Sequence, residues 1–102
     1  MFDPLTIDRK ALLRELIADC EAELKIKQEQ LEAFYLKEIQ LRFAMEVLEG
    51  RGERELARDL RLQLDEAGRR YRAQQRLIQQ TEKLLSRYRA QLARLERDTS
   101  LP

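Results

Sequence analysis

The 102-residue chain is 38% charged with a net charge of +1, and has no histidine, no tryptophan, two prolines and three glycines. Its six aromatic residues argue against a deep globular core, and its richness in Leu, Glu, Arg, Ala and Gln points to long helices or a coiled coil, because these residues lose little rotamer freedom in a helix. The charge is uneven: residues 1–50 hold 7 Lys/Arg against 11 Asp/Glu, and residues 51–102 hold 13 against 8.

The opening MFDPL lacks the basic start and long apolar core of a secretory signal. No apolar run approaches the ~18 residues of a membrane span. Cys20 is the single cysteine, so no internal disulfide forms and a reducing compartment is the simpler expectation. The chain is therefore expected to be cytoplasmic, with no membrane insertion.

A first helix is expected over about residues 5–49, with Asp3 before Pro4, or Thr6, as its cap. Proline suits the first helical position, and short oxygen side chains accept the free N–H groups there. Leu13, Ile17, Cys20, Leu24, Lys27, Leu31, Phe34, Glu38, Leu41, Met45 and Leu48 alternate in spacings of four and three, the signature of a coiled-coil seam. Gly50-Arg51-Gly52 is the expected turn at residues 50–52, because glycine supplies the positive φ that ends a helix.

A second helix is expected over about residues 53–98. Leu60, Leu64, Ala67, Tyr71, Gln74, Ile78, Thr81, Leu85, Tyr88, Leu92 and Leu95 continue the same spacing for about five heptads. Two helices joined by so short a turn fold back antiparallel, and residues equally distant from Arg51 then face one another. Leu41 is expected opposite Leu60, Leu24 opposite Ile78, Ile17 opposite Leu85, Lys27 opposite Gln74 and Cys20 opposite Thr81. Phe34 falls on Ala67 and Gly68, large against small.

The fold class predicted is thus all-α: one helical domain over 1–102, an antiparallel two-helix coiled-coil hairpin assembling into a dimeric four-helix bundle. The alternative is a three-helix bundle broken at Gly68, since glycine within a helix costs about 1 kcal/mol against alanine. The heptad phase crosses Gly68 unbroken, which favours continuity. On the heptads and the Gln/Arg richness alone, the architecture resembles the coiled-coil stalk proteins of flagellar and type III export machines. No residue is carried over from that resemblance.

No catalytic residue, metal ligand or cofactor site is expected. Histidine, the commonest general base, is missing; Cys20 lies on the seam; and GRG lacks the Lys-Ser/Thr of a phosphate loop. The arginines Arg69, Arg70, Arg72 and Arg76 form a stretch without acids, a candidate polyanion site. In the hairpin register this stretch lies near Glu21, Glu23, Glu29 and Glu32, so internal charge matching is the competing expectation. The pentapeptide RYRAQ occurs at 70–74 and again at 87–91. Its spacing puts Tyr71 and Tyr88 on the seam and Arg72 and Arg87 towards solvent, so it reads as a helical accommodation and not a tandem site.

The sharpest anomaly is a second apolar stripe on the first helix. Leu36, Ile39, Phe43 and Val47 recur at spacings of 3, 4 and 4, on the side opposite the seam, with Tyr35 and Ala44 along its flanks. One seam cannot bury both faces, and a patch left in water is an interaction site or an aggregation liability. Leu77 and Leu84 stand beside the second seam as a possible extension of the surface. The function expected is a non-catalytic protein-binding module: an adaptor, an assembly factor or a secretion-type chaperone. Its partner is a second copy of the chain, a helix of another protein, or both. A nucleic-acid-binding hairpin acting through residues 69–76 is the runner-up, and a plain structural spacer is the third reading.

Overall fold

In the computed structural model of the protein, residues 8–100 are described, with side chains through residue 98. They form two helices, α1 (Arg9–Gly50) and α2 (Arg54–Ser100), and no strand occurs among the described residues. Asp8 caps α1: its Oδ1 accepts the N–H groups of Lys10 and Ala11 at 3.0 and 3.2 Å. That arrangement satisfies two of the donors that a helix start leaves free. The expected caps Asp3 and Thr6 lie outside the described residues.

The end of α1 is a complete Schellman motif. The Glu53 N–H donates to the Leu48 carbonyl at 3.0 Å, and the Gly52 N–H to the Glu49 carbonyl at 3.1 Å. Gly52 takes the left-handed backbone with φ 76°, whereas Gly50 stays helical. Glu53 also opens α2, since its carbonyl accepts the first helical bond from Ala57 at 3.0 Å. One residue therefore closes the first helix and starts the second, which makes the reversal short.

α2 runs without interruption through Gly68, so the break of the three-helix alternative does not occur. Gly68 is buried, and a methyl placed on it would meet the Arg72 guanidinium at 3.4 Å and Glu38 Oε1 at 4.0 Å. These are ordinary contacts with the ends of flexible side chains. Glycine is thus not demanded there by a close backbone approach.

The chain divides into two compact units. Ile26–Ile78 is a helical hairpin comprising the later part of α1, the turn and the earlier part of α2. Within it, Gln74 reaches across to the backbone of Lys27, and Phe34 and Ala67 line one groove, as the expected register requires. The other unit pairs residues 8–25 with residues 79–98. There Arg14 bonds Glu96 at 3.4 Å and Arg89 bonds Glu21 at 3.0 Å, so the two helical segments run antiparallel.

Every seam residue of α1 from Leu13 to Leu48, and every seam residue of α2 from Leu60 to Leu95, is buried or half-buried. Ala57 and Gly68 are buried and Ala73 half-buried beside the second seam. Burial is nevertheless shallow: among the described residues no large side chain is fully enclosed. That follows from having two layers of one helix each, because a seam side chain packed on a single neighbouring helix keeps a flank open to water.

Candidate interaction surface

In the Ile26–Ile78 hairpin, the inward face of α1 is occupied by Leu31, Phe34, Glu38, Leu41, Met45 and Leu48. Helical geometry turns Leu36, Ile39, Phe43 and Val47 to the opposite side. All four are exposed, from Val47 at 39% to Phe43 at 67% of full accessibility. A phenylalanine two-thirds in water, flanked along one helix face by Ile39 and Val47, is a continuous apolar ridge and not a scatter of single residues. Lys37, Gln40, Arg42 and Glu46 lie around it and are exposed. Arg42 is drawn away from the ridge by Glu38, 3.2 Å distant one turn earlier.

Tyr35 behaves differently from the other members of the predicted surface. Half its area is exposed, but its ring packs on Tyr71 of α2, with centroids 5.9 Å apart and planes inclined at 42°. This offset aromatic pair clamps the two helices beside the seam. Tyr35 thus serves the hairpin first and borders the ridge second. Its α-carbon position was legible in the sequence, but its side-chain direction was not.

Further apolar residues outside the seams and the ridge are exposed. Leu12 and Leu16 share a groove with Leu13 and Leu95 in the unit that holds residues 8–25 and 79–98. Ile26, Leu56 and Leu62 are exposed singly. Leu77 and Leu84, flanking the second seam, are exposed at 45% and 40%.

The arginine stretch does not pair with α1 as internal charge matching required. Arg70 bonds Glu66 of its own helix at 3.1 Å. Arg69, Arg72 and Arg76 are exposed and make no ion pair among the described residues. Glu38 pairs with Arg42 and Glu66 with Arg70 on their own helices, because an i,i+4 partner needs no adjustment between helices. Where the helices do exchange charges, it is through Arg61 with Glu49 near the turn, and through the Arg14 and Arg89 pairs of the other unit. Both RYRAQ tyrosines are half-buried on the seam, Arg89 pairs across to Glu21, Arg87 is exposed, and Arg72, also exposed, lays its guanidinium over Gly68.

Cys20 is buried as a free thiol on the seam. No group of three His, Cys, Asp or Glu side chains converges among the described residues. No described helix is long and apolar enough to cross a membrane. Compared with protein-family models, with curated proteins and with solved structures, the chain matches none of them.

Proposed function

We propose that the protein is a non-catalytic protein-interaction module whose contact surface is the ridge Leu36-Ile39-Phe43-Val47, and that its first partner is a second copy of itself. The observation that carries this reading is the exposure of Phe43 at 67%, on a helix whose other face is already committed to the seam. Water contact over such a ridge is costly, at about 25 cal/mol for each Å² of apolar surface.

Self-association is favoured over capture of another protein for two physical reasons. The two-helix seam leaves no large side chain fully enclosed, and small helical scaffolds of this kind commonly gain a dry core by oligomerising. A twofold pairing of the same ridge would also bury Phe43 in both copies at once, giving a four-helix bundle around the turn-proximal hairpins. Adaptor, assembly factor and secretion-type chaperone are roles that such a module would fill, with the charged rim selecting the partner.

A photoreactive phenylalanine analogue at position 43 tests the site. The expected product has twice the chain mass, with cross-linked peptides drawn from the 36–47 face of the second copy. Cross-links to the outward face of α2, or none at all while the protein stays folded, overturn the reading.

A further inference from the structure

A second surface lies on the other helix of the same hairpin. The α2 seam residues Leu64, Ala67, Tyr71, Gln74 and Ile78 point towards α1, so helical periodicity places Arg69, Arg72 and Arg76 on the far side of α2, with the Arg72 guanidinium folded back over Gly68 and a groove shared by Arg69, Arg72, Glu38 and Arg42. Each is exposed, and none is neutralised by an ion pair among the described residues. The α2 acids nearest Arg69 are Asp65, which lines a groove with it, and Glu66, which Arg70 engages at 3.1 Å. Glu38 of α1 lines the same groove as Arg69 and Arg72 and pairs with Arg42 at 3.2 Å.

We propose that this ridge binds the phosphate backbone of duplex nucleic acid. Three features select that partner. The cations are all arginine, whose planar fork holds phosphate oxygens in pairs where lysine offers a point charge. From Arg69 to Arg76 the ridge advances about 10 Å along the helix, and a duplex strand rises only about 3.4 Å along its axis per phosphate, so several phosphates lie within reach of the three long side chains. Finally, the outward face from Arg69 to Arg76 carries no aromatic or large aliphatic residue, with the exposed Leu77 on its flank. It therefore offers neither the stacking platform of a single-strand site nor the apolar centre of a protein interface. The ridge and the Phe43 stripe face opposite sides of the hairpin, so a dimer built on the stripe leaves the arginines free.

The test is fluorescence anisotropy with a labelled mixed-sequence DNA duplex, with its separate single strand as a second arm, across a salt series. The duplex binds more tightly, and its log affinity falls linearly with log salt. Replacing all three residues (R69Q/R72Q/R76Q) lowers that slope by about 2.7, which is roughly 40-fold less affinity lost over a fourfold rise in salt. The charge-matched triple K25Q/K37Q/R94Q leaves the slope unchanged, and circular dichroism shows all three proteins equally helical. The proposal is overturned if the wild type does not bind the duplex at low salt, or if the ridge triple keeps the wild-type slope. Tighter binding to the single strand overturns it too, as does equal competition by poly-glutamate, which would mark an acidic protein as the partner.

Discussion

Gln74 of α2 donates from Nε2 to the backbone carbonyl of Lys27 in α1 at 3.0 Å, and to Gln30 Oε1 at the same distance. A buried amide thus grips the main chain of the opposite helix in the middle of an apolar seam. The Lys27 carbonyl already receives its helical bond from four residues on, so Gln74 supplies a second, cross-helix bond to it. Replacing Gln74 with alanine removes both contacts and leaves a void, and is expected to cost about 1–2 kcal/mol in urea denaturation. Gln74→Leu removes the polar atoms without the void and is expected to be neutral within about 0.5 kcal/mol. Equal losses for the two variants would show that the amide bonds, and not packing, dominate this site.

The two turn glycines make opposite predictions. Gly52 sits at φ 76°, a conformation that an L side chain resists by roughly 1–2 kcal/mol. Gly50 is helical, exposed and has open space where a side chain would stand. Gly52→Ala is therefore expected to lower the thermal midpoint. Gly50→Ala is expected to raise it, through a gain of up to about 1 kcal/mol in helix propensity. A stabilised Gly52→Ala would contradict the Schellman assignment.

Gly68 is the third glycine, and it too is expected to improve as alanine. The added methyl meets the movable ends of Arg72 at 3.4 Å and Glu38 at 4.0 Å, while the helix gains about 1 kcal/mol of propensity. A loss of stability in Gly68→Ala would mean that Arg72 cannot shift from its place over this residue. Calorimetric melting of the purified chain decides it.

Tyr35 can be weighed in the same way. Loss of its ring contact with Tyr71 in Tyr35→Ala is expected to destabilise the hairpin, of which about 0.5–1.5 kcal/mol is specific to the aromatic pair. A double-mutant cycle with Tyr71→Ala isolates that part. A coupling energy of zero would return Tyr35 to the exposed ridge.

The heptad pattern carried most of the fold. All the seam positions from Leu13 to Leu48 and from Leu60 to Leu95 face inward, because burying an apolar stripe is the largest favourable term and it recurs at a fixed period. Details governed by small energies were less legible. Gly50 and Gly52 flank one arginine, and only the backbone geometry shows that Gly52 takes the positive φ. Asp8 is the cap at the described start of α1, in a segment where several short oxygen-bearing residues compete on nearly equal terms.

The candidate surfaces show the same division. The outward facing of Leu36, Ile39, Phe43 and Val47 followed from periodicity, and all four are exposed. Side-chain choices did not follow from it. Tyr35 turned to Tyr71, and Arg70 chose Glu66 over the acids of α1. Long flexible side chains pick among partners that differ by a few tenths of a kcal/mol, and spacing does not resolve such differences.

In the proposed assembly the Phe43 ridge holds two copies together while the seam holds each hairpin. Light scattering of the wild type and of Phe43→Asp, over a range of concentrations, tests it most directly, with Leu41→Asp as the seam control. The wild type is expected at twice the 12.2 kDa chain mass. Phe43→Asp is expected at the single-chain mass with its helical circular dichroism retained, whereas Leu41→Asp, which buries an unpaired charge, loses helicity. A wild type that stays at 12.2 kDa at every concentration, or a Phe43→Asp variant that still doubles, would contradict the account.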